Sequence, residues 1–152
     1  MNIEWTKFEG AELADLLSMM SAFAHDQGFA FDIERTGRNV RNLLSNPAFG
    51  EIWLVRAVPQ VFGYLVVTLG FSFEFGGHDS FLDEIYIIPE KRGQGIGGRS
   101  LAFSQQVAYR LGATTMHLEA SGRRDRAVRF YTHHGFLDRG YRLLSKPLQP
   151  SS

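Results

Sequence analysis

The residues from Asp83 to Leu101 read D-E-I-Y-I-I-P-E-K-R-G-Q-G-I-G-G-R-S-L: two carboxylates, an apolar stretch, a proline, two cations and four glycines in close succession. Gly93, Gly95, Gly97 and Gly98 free the backbone of Cβ atoms, so that successive N–H groups can turn toward one oxyanion. Ile96, Leu101, Ser104, Val107, Ala108 and Leu111 then recur at helical spacing, which puts the glycines at a helix N-terminus, where the macrodipole favours an anion. Lys91 and Arg92 add positive charge beside it. Four glycines alone would read as an ordinary tight turn, but the strand before them and the helix after them point to a phosphate-binding loop. At the other end of the stretch, Asp83 and Glu84 offer carboxylates for proton transfer or for holding a cation; a strand-entry pair facing solvent is the plainer reading of those two.

These residues need elements to position them. The run Ile85 to Ile88 is too short for a helix, rich in β-branched and aromatic residues, and stopped by Pro89, so it is expected to be a buried strand within Phe81 to Ile88. Before it, Ile3 and Trp5 suggest an edge strand, and Leu13, Leu16, Leu17, Met20 and Phe23 give a first helix from Ala11 to about Gly28. Thr36 or Asn39 would cap a second helix carrying Val40, Leu43 and Leu44, ending before Pro47. Glu51 to Val58 and Gln60 to about Phe75 read as an antiparallel hairpin, with a turn at Gly76 to Ser80. After the glycine loop, a helix to about Gly112, a strand Thr114 to Leu118, a helix Arg126 to His134 closed by Gly135 and a strand Tyr141 to Leu144 complete the order. Residues 149–152 are expected to fray, leaving one domain over 1–148. The fold class expected is α/β, shading into α+β: a mixed, largely antiparallel sheet with helices on both faces.

Arg92-Gly93-Gln94-Gly95-Ile96-Gly97 resembles the R/Q-x-x-G-x-G/A signature of the GNAT superfamily of N-acetyltransferases, and I-Y-I-I-P resembles the strand that precedes it there. Ala127, Phe130, Tyr131, Gly135 and Phe136 match a second segment, A-x-x-F/L-Y-x-x-x-G-F. The resemblance implies a GNAT-like acyltransferase fold that cradles the pyrophosphate of acetyl-CoA on Arg92 to Gly98. It also implies backbone contacts from Ile85, Tyr86 and Ile87 to the pantetheine arm. Tyr131 would protonate the departing thiolate, a task suited to a phenol whose reference pKa is about 10. In family members that act on small diamines a similar acidic pair lies where Asp83 and Glu84 stand. That likeness favours Asp83 as base or water-holder and Glu84 as ligand of a second positive charge. Adjacent strand residues point to opposite faces, so only one should meet the amine unless a bulge re-aims its neighbour. Where many members have Asn, this chain has Arg124, and that role is not carried over. Glu74, among Phe71, Phe73 and Phe75, and the Phe31-Asp32 pair are further acceptor-site candidates, since acids beside aromatics suit a cationic amine.

Composition narrows the field. The chain has 152 residues, 44% hydrophobic and 21% charged, with 16 Lys and Arg against 16 Asp and Glu. A net charge of zero argues against nucleic acid or an anionic membrane as partner, although Arg123, Arg124, Arg126 and Arg129 form either a solvated face or a collar for CoA phosphates. No apolar run approaches the roughly 20 residues of a membrane span, and Met1 to Gly10 lacks the pattern of a signal peptide, so a cytoplasmic protein is expected. The absence of cysteine excludes an acyl-cysteine intermediate, leaving direct transfer from acetyl-CoA in a ternary complex. The five histidines have no ligand spacing, and no metal is expected. The acceptor expected is a primary amine, first a small cationic metabolite, with a peptide N-terminus or lysine as the alternative; homodimer formation stays open. Two rivals remain. Gly93, Gly95 and Gly98 also satisfy G-x-G-x-x-G with Glu119 downstream, as in a nicotinamide oxidoreductase, but too little chain follows for a doubly wound sheet. A non-catalytic acetyl-CoA-binding module is the other.

Overall fold

A computed structural model describes residues 1–120 and 125–151. Residues 1–119 form one compact unit and residues 120–152 a second. In the first, β1 (Glu4–Lys7), β2 (Gly50–Ala57), β3 (Gln60–Ser72), β4 (Gly77–Ile87) and β5 (Met116–His117) lie side by side in sequence order. The first three pairings are antiparallel, and β4 to β5 is parallel.

Helices α1 (Leu13–Gln27) and α2 (Ile33–Ser45) cover one face of this sheet. Leu16, Leu17, Met19 and Met20 of α1 and Val40 of α2 pack there on Ile52, Leu54, Tyr64, Val66 and Tyr86. Helix α3 (Ile96–Arg110) covers the other face, where Ile96 joins Ile3, Val55, Phe62 and Ile87. Alternation along β2 divides its side chains between the two cores, as a pleated strand requires. On the α3 side Glu51 is a strut between elements: it accepts from the Trp53 indole at 2.8 Å and pairs with Lys7 of β1 at 3.1 Å and Arg110 of α3 at 3.0 Å. Burial works to raise its pKa, but these donors together hold it below the usual value.

Several boundaries differ from expectation. Helix α2 begins at Ile33 and is capped by Asp32, not by Thr36 or Asn39, because the Asp32 carboxylate accepts from the Arg35 N–H at 3.0 Å. The β3–β4 turn is Phe73 to Gly76, so β3 ends at Ser72 and β4 begins at Gly77. Strand β5 keeps two of the expected five residues. The second unit contains α4 (Asp125–His133), followed by Gly135 in the left-handed region at φ 90°, as a helix C-terminus favours. The expected strand Tyr141 to Leu144 does not form: those residues carry no ladder, and Tyr141 and Leu144 are 75% and 89% exposed. A strand is a pairing and not a local propensity, and no described strand lies against this one.

Candidate active site

The expected loop is present. β4 ends at Ile87, the chain passes a single turn at Pro89–Lys91, and α3 starts at Ile96. Gly93 and Gly95 have φ of 76° and 77°, a region that side chains with a Cβ rarely adopt. A Cβ would meet nothing within 4 Å at either, so the requirement is one of backbone conformation and not of space. Gly95 is the N-cap of α3 and no side chain caps it, so the first helical N–H groups keep their donors directed outward. This loop fits a diphosphate: a run of backbone donors, a helix N-terminus and no side chain in the way. Lys91 lies beside it with its ammonium 5.7 Å from the Phe62 ring centroid.

The acidic pair sits on β4 at an irregularity. Val67 pairs with Leu82 and Val66 with Glu84, so Asp83 is the extra residue of a bulge. The bulge breaks the strict alternation that would have sent the two carboxylates to opposite faces. Glu84 faces the α1–α2 core, where the Tyr64 phenol donates to its Oε2 at 2.9 Å. Burial pushes the Glu84 carboxyl up to about 7; the Tyr64 hydrogen bond works against that rise and the neighbouring charge of Asp83 adds to it. Asp83 reaches solvent at the bulge, yet the protein around its carboxyl still raises its pKa. The Tyr64 phenol is pushed far up by burial and by Glu84, and so stays a donor. β5 flanks β4 only at Ser80 and Phe81, so among the described residues Leu82 to Ile87, including Ile85 and Tyr86, have no strand on that side.

Sequence reasoning missed Tyr64. It lies 20 residues from Glu84 and meets it only through the β3–β4 register, in which Tyr64 pairs with Tyr86. It also missed a pair on β4 and β5: His117 Nε2 lies 3.1 Å from Asp79 Oδ2, with the His117 ring 4.5 Å from Phe75 and 5.1 Å from Phe81. Gly70 on β3 makes room for it, since a Cβ there would lie 2.7 Å from Asp79 Oδ1.

The remaining candidates lie on other elements. Asp32 is engaged in capping α2, and the Arg35 N–H, the main cause, holds its carboxyl below its usual value. Phe31 packs at the border of the α1–α2 core and lines a cavity of about 680 Å³ with Leu13, Leu17 and Ile33. Glu74 is exposed in the β3–β4 turn beside Phe73, which is 93% exposed. In the second unit, Tyr131 lies on α4 with its ring 5.2 Å from Phe130 and 6.0 Å from Phe136, and burial raises its pKa. Arg126 and Arg129 of α4 are exposed, whereas Arg123 and Arg124 lie outside the described residues. Among the described residues no group of three or more His, Asp or Glu is gathered as a metal would need, and no helix is long and apolar enough to cross a membrane.

The chain is 28% identical over 83 residues to the aminoalkylphosphonate N-acetyltransferase of Salmonella typhimurium, a match that spans 55% of this chain and 54% of that protein. It is therefore matched over about half the length of that curated relative. An integron cassette protein from the mobile metagenome of Cole Harbour Salt Marsh shares the fold with a TM-score of 0.83 and 31% identity, over 97% of this chain and 91% of its own. An aminoglycoside N-acetyltransferase, AAC(6')-Iy, in complex with CoA superposes with a TM-score of 0.83 over 98% of this chain and 96% of its own; at 12% identity this shows the fold alone. The pattern of the acetyltransferase (GNAT) family matches residues 13–136, and a match over that much of the chain means that the protein belongs to the GNAT family of acetyltransferases.

Proposed function

We propose that this protein is an acetyl-CoA-dependent N-acetyltransferase in which Glu84 is the general base. The observation that carries the reading is Glu84 itself: a carboxylate raised to about 7, hydrogen-bonded by Tyr64, on the strand that leads into the anion-binding loop. A base is most effective when its pKa lies near the working pH, and an amine must lose its proton before it can attack a thioester. Acetyl-CoA supplies the activated acetyl group. The loop from Arg92 to Gly98, with Gln94 and Ile96 among its backbone donors, would hold its diphosphate, and the free side of β4 at Ile85 to Ile87 would hold its amide-bearing arm.

Glu84 takes one proton from the acceptor ammonium, the neutral amine attacks the acetyl carbon as the carbon–sulfur bond breaks, and the second proton shed by the new amide nitrogen passes through water to replace the one given to the sulfur. Tyr131, kept protonated by burial, is the proposed donor to the departing sulfur. Asp83, beside the base and open to solvent, holds the ammonium in place by charge. These roles reverse the order that the resemblance to diamine enzymes gave to Asp83 and Glu84, because Glu84 has both the deeper burial and the phenol partner. A relative that bears the name aminoalkylphosphonate N-acetyltransferase supports a small primary amine over a peptide as acceptor. The test is a panel of small amines incubated with acetyl-CoA, the products identified by mass. Acetylated amine is the expected result, and acetyl-CoA bound without turnover on any amine would favour a binding module instead.

A further inference from the structure

Arg92 is the cation of the loop motif, and two of its five N–H donors are directed at the protein. Its Nε donates to the Ile87 carbonyl oxygen at 2.7 Å, and its Nη2 donates to Asp26 Oδ2 at 3.0 Å. Its guanidinium carbon lies 5.3 Å from the centroid of the Tyr86 ring. One side chain thus ties together the last turn of α1, the end of β4 and the start of the loop. Planar forks of this kind lose little freedom per bond once two partners are in place, which favours keeping them over turning to a new ligand.

Both elements that Arg92 holds press on Tyr64. The Tyr86 ring is 6.0 Å from the Tyr64 ring. Phe23, one turn before Asp26 on α1, has its ring 6.5 Å from that of Tyr64, edge to face. Tyr64 is fully buried, and its hydroxyl is the donor to Glu84. The titratable groups that act on Glu84 are Tyr64 and Asp83, and none of them touches Arg92.

We propose that Arg92 is a positioning residue, which clamps α1 and Tyr86 around Tyr64 so that the phenol stays on Glu84, and that phosphate binding is left to the backbone N–H groups of the loop. The proposal rests on Glu84 as base. Its test compares Arg92→Gln, Arg92→Lys, Asp26→Asn and the Arg92→Gln/Asp26→Asn double variant. The two measurements are the dissociation constant of free CoA by calorimetry and the pH profile of kcat/KM for an acetylated amine. All four variants are expected to bind CoA within about threefold of wild type. Arg92→Gln should lower kcat/KM on the order of tenfold and move its acidic limb upward, and Asp26→Asn should do the same more weakly. The double variant should be no worse than Arg92→Gln alone, as for two partners in one contact. Arg92→Lys should keep the amine-side defect, because one ammonium cannot serve Ile87, Asp26 and the Tyr86 face together. The proposal is overturned if Arg92→Gln weakens CoA binding about tenfold or more and Arg92→Lys restores it, or if kcat/KM and its limb stay at wild-type values. Amine acetylation by the wild type with no limb near pH 7 would fault Glu84 as base and leave the CoA measurement to judge Arg92 alone.

Discussion

At the scale of single residues, the proposed chemistry depends on how one carboxylate is surrounded. Burial pushes the Glu84 carboxyl from its ordinary value of 4.5 up to about 7, so between those values the native state binds the extra proton. Stability should therefore fall as pH rises through that window, by up to roughly 3 kcal/mol, and level off above it. Glu84→Gln keeps the Tyr64 hydrogen bond and removes the charge, so it should unfold at a higher temperature than wild type at pH 8 and match it near pH 4. Thermal unfolding at the two pH values would check this. Tyr64→Phe removes the donor that restrains the Glu84 pKa, and the acidic limb of kcat/KM should shift to higher pH. Tyr131→Phe should slow turnover on the order of 10²- to 10⁴-fold with little change in acetyl-CoA affinity, as loss of a positioned proton donor does; near-normal turnover would return Tyr131 to a packing role. Asp83, Glu84 and Tyr131 are candidates in the sequence through the resemblance of their motifs to the GNAT family. Tyr64 is not, because its partnership with Glu84 exists only in the strand register, and neither is the bulge, which is a property of two strands at once.

At the scale of elements, glycines mark where the backbone decides the fold. Gly50 opens β2 at φ 141°, and a Cβ there would lie 2.0 Å from the Val67 carbonyl oxygen. Gly50→Ala must displace the centre of the sheet and should cost several kcal/mol, enough to lower the melting temperature by more than about 10 °C. Gly95→Glu puts a strained residue with negative charge at the N-cap of α3 and should abolish stabilisation by acetyl-CoA; undiminished stabilisation would contradict the loop assignment. The helices were the legible elements: α1, α3 and α4 follow from 3.6-residue periodicity, and Gly28 and Gly135 mark two of their ends. The start of α2 was misjudged because Asp32 reads equally well as a ligand-binding acid and as a cap. The strand expected at Tyr141 to Leu144 is apolar enough for one but has no described neighbour to pair with.

For the whole molecule, an even balance of charge leaves a local arrangement, rather than a global field, to attract ligands. The proposed arrangement is a sheet in sequence order whose fourth strand carries the acidic pair at a bulge and leads through a single turn into the glycine loop. A nicotinamide cofactor fits this order poorly, since the sheet is antiparallel up to β4. Acetyl-CoA should raise the melting temperature while NAD and NADP leave it unchanged. The most direct test of the central claim is the release of free CoA thiol from acetyl-CoA at pH 8, with and without a small primary amine, by the wild type and by Glu84→Gln. The account predicts amine-dependent release by the wild type and a loss of about 10²-fold or more in the variant, the usual contribution of a positioned base. Equal amine-dependent release by the two proteins would contradict it.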